Sequence, residues 1–213
     1  KGSIKIQIKT FDRNSMILSR ICLLCVSCVM FFSGCGGTPV TRLYLLTPLP
    51  LTETQDQLAR PLALGIGPIR LPTHLDRPEI VIEGNSHQIQ LNEFDQWAEP
   101  LDENITSVLA TNLAILLDTQ QVSRYPWPPG TKVDYRITLD IDRFVAKSQG
   151  PVELVAHWAV RRSATGKPII KKTLKLSEAL AGDTIEEVVA AQSRILARLA
   201  QSIAEQMKHQ LAK

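Results

Sequence analysis

The chain has 213 residues, with 24 Lys and Arg against 21 Asp and Glu, a formal net charge of +3 and four cysteines. The imbalance is local: Lys1, Lys5, Lys9, Arg13 and Arg20 stand against Asp12 in residues 1–34, so removing five of 24 basic and one of 21 acidic side chains leaves 19 and 20, a net of −1. Such a balance excludes a bulk electrostatic grip on nucleic acid, and a remainder whose one cysteine is Cys35 excludes a disulfide framework.

The N-terminus has the parts of an export signal. Lys9, Arg13 and Arg20 supply a positive n-region and residues 21–32 an apolar h-region, with Met16 as the expected initiator. That h-region falls short of the ~20 apolar residues of a transmembrane helix. It closes on Phe32-Ser33-Gly34-Cys35, a small-small-Cys sequence that resembles a bacterial lipobox, with Phe32 where such boxes favour Leu. Cleavage there makes Cys35 the first mature residue, carrying a diacylglycerol and an amide-linked acyl chain and requiring no other cofactor. Each buried CH₂ contributes ~0.8 kcal/mol, so several chains hold where one would not. Cys28 is the weaker competing site; an uncleaved anchor and an ordinary secretory peptide are the alternatives. Gly36 follows the cysteine in place of Asp, which under the enterobacterial sorting rule directs a lipoprotein to the outer membrane. Residues 1–34 are thus read as signal, 35–41 as tether and 42–213 as one domain, long enough to bury its own core.

Within the domain, residues 42–46 form an apolar run stopped by Thr47-Pro48, a predicted strand, and residues 49–60 read as a polar loop. Residues 61–70 alternate Leu62, Leu64 and Ile66 and predict a strand broken at Pro68. The Gly65-Ile66-Gly67 there lacks the third glycine and the following helix of a dinucleotide loop. Residues 79–83 and 87–91 flank Gly84-Asn85-Ser86, a hairpin signal. From Leu101 to Leu117 the apolar residues Ile105, Val108, Leu109, Leu113 and Leu116 keep helical spacing, with Pro100 at the first turn and Asp102 and Glu103 near the positive dipole end.

Tyr125-Pro126-Trp127-Pro128-Pro129-Gly130 excludes helix and central strand. Residues 134–142 alternate Tyr135, Ile137, Leu139 and Ile141 with polar side chains, a strand with one dry and one wet face. The alternation slips at Arg143-Phe144, as at a bulge. Residues 152–161 and 169–176, joined by Ala164-Thr165-Gly166-Lys167, complete an antiparallel meander. Asp183 with Glu186 three residues on reads as a capping-box variant opening the longest helix, whose apolar stripe runs from Ile185 to Leu211. The expected fold is α+β: a single mixed, mostly antiparallel sheet of five or six strands with two main helices packed on one face.

Chemistry is sparse. His74, His87, His157 and His209 form no H-x-x-H or H-E-x-x-H pair, and neither a nucleophile elbow nor a Walker loop is present. Asp134, Asp140 and Asp142 share a strand face with Arg136 among them, which suits a solvated face better than a cation site. No catalytic residue and no metal site is predicted. Two surfaces remain for binding. Tyr125 and Trp127, held between prolines, present a rigid amphipathic loop to a protein partner; Trp127 as a plug over the sheet end is the plainer alternative. Arg161, Arg162, Lys167, Lys171, Lys172 and Lys175 put six cations on one hairpin. They suit anionic headgroups or simply guard a sheet edge.

Tyr44-Leu45-Leu46, Leu64-Gly65-Ile66-Gly67-Pro68-Ile69 and Leu75-Asp76-Arg77-Pro78 are followed by Trp97-Ala98-Glu99-Pro100-Leu101, Asn104-Ile105, Leu113 and Tyr125-Pro126-Trp127. Together they resemble the ABC-type transport auxiliary lipoprotein (PqiC-like) family over residues 42–207. The resemblance implies a non-enzymatic lipoprotein on the periplasmic face of the outer membrane. It further implies a homo-oligomer that works with an MCE-domain protein of the PqiB type and a PqiA-like membrane protein, carrying lipid between membranes and maintaining envelope integrity. An accessory lipoprotein of another envelope assembly or secretion machine, and a periplasmic enzyme whose site converges only in three dimensions, are the alternative functions.

Overall fold

The perfect alternation at residues 135–141 marks the strand on which the rest of the sheet is hung. The computed structural model describes residues 39–50, 62–84 and 88–212, and contacts divide the chain into Lys1–Pro39 and Val40–Lys213; the second unit is described here. The segment read as an export signal, Cys35, residues 51–60 of the expected polar loop and the turn residues 85–87 lie outside the described residues.

In chain order the strands are β1 (Arg42–Tyr44), β2 (Leu64–Arg70), β3 (Glu79–Glu83), β4 (Ile89–Trp97), β5 (Val122–Arg124), β6 (Tyr135–Lys147), β7 (Val152–Arg162) and β8 (Pro168–Glu178). The helices are α1 (Leu101–Leu116), between β4 and β5, and α2 (Ile185–Leu211), after β8. One edge of β6 pairs antiparallel with β7, and β7 with β8, which is the expected meander. The other edge of β6 is divided: β2 runs parallel to residues 135–140 and β3 parallel to Ala146 and Lys147. From there β5 extends the β2 side, and β4 then β1 the β3 side. The result is an α+β fold on a mixed sheet of eight strands among the described residues. Parallel pairs occur at β1–β4, β2–β5, β2–β6 and β3–β6, because β2 and β3 lie end to end along one edge of the same long strand.

Two sequence irregularities find their causes here. Pairing of β6 with β7 shifts between Ile141 and Arg143, so Asp142 is the extra residue of a bulge and the apolar alternation resumes on Phe144. Strand β2 is not broken at Pro68 but runs through it: the register with β6 shifts between Ile66 and Ile69, so the missing N–H falls outside the ladder.

The dry side of β6 and β7, with Ile137, Leu139, Phe144, Leu154 and Trp158 almost fully buried, shares one core with Ile105, Leu109 and Leu113 of α1 and Ile195, Leu199 and Ile203 of α2. Burying each such side chain contributes about 1.5–3 kcal/mol. Pro100 is the N-cap of α1. The N-cap of α2 is Thr184, one residue later than the Asp183 expected, and its hydroxyl accepts from the Glu187 N–H at 3.2 Å. The extended backbone of Thr184 (φ −83°, ψ 156°) places its own oxygen, not that of Asp183, over the first free N–H groups.

Candidate functional site

Both helices carry polar side chains where their stripes should be apolar. Asn104 and Asn112 of α1 and Gln192 and Ser193 of α2 are all buried. Amides and hydroxyls in such positions destabilise unless they are hydrogen-bonded. Three of the four meet one stretch of backbone: Asn104 Oδ1 accepts from Leu46 N–H at 2.9 Å, Ser193 Oγ from Thr47 N–H at 3.0 Å and Asn112 Oδ1 from Leu49 N–H at 2.7 Å. Residues 46–49 are therefore held by both helices at once. Gln192 donates to the Phe144 carbonyl at 3.3 Å and ties α2 to the sheet.

Immediately upstream the grip is ionic. Arg42 reaches the buried Asp95 of β4 through Nε at 2.7 Å and Nη2 at 3.0 Å, a bidentate fork. The Tyr44 hydroxyl lies 3.1 Å from Asp95 Oδ1 and 3.0 Å from Glu186 Oε1 in the first turn of α2. Desolvation, then the bonds to Glu186 and Asp95, push the Tyr44 phenol up to about 12. Glu186 is held below the usual carboxylate range by its own backbone hydrogen bond and by Tyr44. Residues 42–49 thus form a clamp between β4, α1 and α2, beginning seven residues after Cys35. Mechanically this is a load path: a pull on the segment is resisted by three elements of the core. The sequence reading missed it, although Asn104, Asn112 and Ser193 interrupting apolar stripes were its visible signal.

The sequence-predicted residues are distributed as follows. Trp127 lies over Gly65 of β2, whose absent side chain leaves room for the indole: a Cβ there would stand 3.2 Å from Trp127 Nε1. Arg136 caps the ring at 4.9 Å from its centroid, and Tyr125 meets it edge-on at 5.3 Å. Trp127 is thereby half-buried against the first residues of β2 and β6, while Tyr125 stands 50% exposed. The six cations of the β7–β8 hairpin do not form one patch. Lys172, opposite Trp158, bonds Gln206 of α2 at 2.7 Å, and Arg162 lies over the Tyr135 ring. Arg161 donates to the Gly166 carbonyl at 3.3 Å. Lys171 and Lys175, opposite Ala159 and Val155, project from the other face of the sheet.

The carboxylates on and just before β6 are each engaged: Asp134 accepts from Ala63 N–H, Asp140 pairs with Arg70, and Asp142 meets His157. No group of three metal-ligating side chains occurs among the described residues. His157 bridges Asp142 (2.7 Å) and Thr173 (2.8 Å), a relay spread over three neighbouring strands, with His157 44% and Asp142 60% exposed. A cleft of about 920 Å³ is lined by Ile82, Ala146, Pro151, Leu180 and Val188 among others, with no histidine among the described residues.

A model of the family described as ABC-type transport auxiliary lipoprotein component matches residues 44–204. The chain belongs to that family. The matched stretch opens on Tyr44, so Tyr44, Asp95, Asn104, Asn112, Glu186 and Ser193 of the clamp all fall within the domain that defines this lipoprotein family. The chain is 21% identical over 180 residues to the intermembrane transport lipoprotein PqiC of Escherichia coli (strain K12), covering 84% of this chain and 93% of the relative, and the same figures hold for PqiC of Shigella flexneri. The crystal structure of a Xanthomonas campestris protein shares the fold with a TM-score of 0.66 at 16% identity, over 80% of this chain and 99% of that one. An uncharacterized protein of known structure does so with 0.64 at 20% identity, over 79% and 99%. No helix among the described residues is long and apolar enough to cross a membrane.

Proposed function

We propose that this auxiliary lipoprotein is acylated on Cys35, stands on the periplasmic face of the outer membrane, and is a non-catalytic component of a PqiABC-type system. In that system it works with an MCE-domain protein and a PqiA-like membrane protein to move lipid between membranes and preserve envelope integrity, as a homo-oligomer. The observation that carries the reading is the clamp: an anchor must transmit load into a folded domain, and the segment that follows Cys35 is bound to β4, α1 and α2 by seven side-chain hydrogen bonds from Arg42, Tyr44 and residues 46–49. The likeness to PqiC over most of both chains supports the transport role. The exposed Tyr125 beside its prolines is the partner contact in this reading. The family's role as an auxiliary lipoprotein component supports the non-catalytic reading. The test is co-purification of the full acylated chain, extracted from membranes in the presence of chelator, with a tagged MCE-domain protein from the same cell. Capture of the wild type and weakened capture of Tyr125→Ala are expected. Failure of the MCE protein to retain it, with retention by another envelope machine, overturns the proposal.

A further inference from the structure

Apart from Tyr125, the exposed large apolar side chains of the described residues fall on two short runs: Val40, Leu43 and Leu45, and Ile89, Leu91 and Phe94. The runs adjoin, because β1 pairs in parallel with the end of β4, with Leu43 opposite Gln96. Single exposed apolar residues are ordinary, but a contiguous group marks a contact surface. Exposure is large throughout, from 38% at Leu91 to 85% at Val40. β1 pairs only with Asp95, Gln96 and Trp97, so the outward edge of residues 89–93 has no strand partner among the described residues. Charge is nearly absent: residues 40–46 and 88–97 contain Arg42, Asp95 and Glu93, and the first two satisfy each other.

Chain length identifies the occupant. Leu43 is eight residues from Cys35, and a chain spans at most ~3.6 Å per residue, so the acylated cysteine stays within about 30 Å of it. The clamp fixes residues 42–49 to the domain, and the patch therefore cannot separate from the attachment point by more than this tether. We propose that the apolar runs on β1 and β4 rest in the interfacial layer of the same bilayer that holds the acyl chains, orienting the domain on its anchor. This rests on the reading that Cys35 is acylated. The depth is interfacial because a sheet edge with free N–H and C=O groups is strongly disfavoured in hydrocarbon, whereas water and headgroups satisfy it. With no free cation in the patch, the contact is apolar and indifferent to salt. The strand order β1-β4-β3-β6-β7-β8 carries Lys171 and Lys175 to the opposite margin of the sheet, away from the bilayer.

The full acylated chain, purified from membranes and verified by intact mass, is placed in phosphatidylcholine vesicles. It carries an environment-sensitive fluorophore on one introduced thiol, from Leu43→Cys, Phe94→Cys or, as control, Lys175→Cys. All three positions are exposed, so the fold tolerates the changes, and the lipid-blocked Cys35 is the mature chain's remaining cysteine. The expected result is a blue shift and quenching by brominated lipid at 43 and 94, unchanged in high salt, with a water-like spectrum at 175. An acylated, vesicle-bound protein with wet labels at 43 and 94 overturns this inference alone. So does shielding at 94 that rises with protein concentration in the absence of lipid, which assigns the patch to a second copy. Salt-sensitive shielding at 175 assigns the bilayer to the basic hairpin instead. A mass without acyl chains overturns the anchor reading, and this inference with it.

Discussion

Asn104→Ala withdraws the acceptor from a backbone N–H that has nowhere else to turn. Asn104 is 3% exposed and Leu46, whose N–H it accepts at 2.9 Å, is 4% exposed. The variant leaves that N–H dry, and an orphaned buried donor costs about 1–3 kcal/mol. Glu99, the acceptor for the Asn104 amide N–H, is exposed and takes water in exchange. A loss of about 2 kcal/mol lowers Tm by about 4–8 °C in a domain of this size. Expressed locally, the same loss speeds amide exchange about 30-fold, since each 1.4 kcal/mol is a factor of ten. The assay is native-state hydrogen exchange by mass spectrometry, comparing a peptide spanning residues 42–49 with one from β7. Exchange should accelerate in the first and much less in the second. Equal acceleration in both, or none in the clamp despite a lower Tm, refutes the role given to Asn104. Asn112→Ala is the internal control: its Oδ1 accepts from Leu49 while its Nδ2 has no partner among the described residues, so its loss removes one orphan as it creates another and destabilises less.

The clamp is also sensitive to pH. Glu186 has a lowered pKa, so its contribution is present above the ordinary carboxylate value and is lost as pH falls through the lowered one. Tyr44 has a phenol raised from 10.0 to about 12, so its contribution is complete below 10 and disappears as pH climbs toward 12. Tm measured against pH should fall at both ends in wild type, and Tyr44→Phe should lack the alkaline fall; parallel curves contradict the assignment. Gly65→Ala sets a Cβ 3.2–3.3 Å from three atoms of the Trp127 ring, overpacking that costs about 1–3 kcal/mol; unchanged stability and tryptophan fluorescence would count against the stacked geometry. Replacing Lys171 and Lys175 with Gln should promote aggregation through the edge of β8 that has no strand partner among the described residues, while leaving vesicle binding intact. Light scattering and co-sedimentation separate the two, and lost vesicle binding without aggregation assigns these lysines to headgroups.

What could be read from residues alone was whatever repeats with a short period. The β6–β7–β8 meander is written in strict alternation, and even its bulge shows as a one-residue slip before Phe144. Helix α1 announces itself through Leu101 to Leu116 and its acidic first turn. Strands β1 and β5, three residues each, are too short to carry a period and owe their conformation to their neighbours. Pro68 hid the continuity of β2, since a bulge that hides a missing donor leaves no local mark. The clamp was illegible for a different reason. It joins Leu46 to Asn104, Thr47 to Ser193 and Leu49 to Asn112, and no spacing rule links residues that meet only after two helices have packed. Its trace was compositional, buried amides where leucine would serve. The β7–β8 cations show a related limit: they are adjacent in sequence, and strand alternation sets Lys172 on one face and Lys171 and Lys175 on the other.

Anchorage on Cys35 is the claim on which the account depends most, and fatty-acid incorporation with membrane fractionation tests it directly. Cells expressing the wild-type chain or Cys35→Ala are grown with labelled palmitate and their envelopes separated. The wild type should carry label and sediment with the outer membrane, and Cys35→Ala should be unlabelled and released to the soluble periplasmic fraction. An unlabelled wild type, or a Cys35→Ala chain that stays with the membrane, would contradict it.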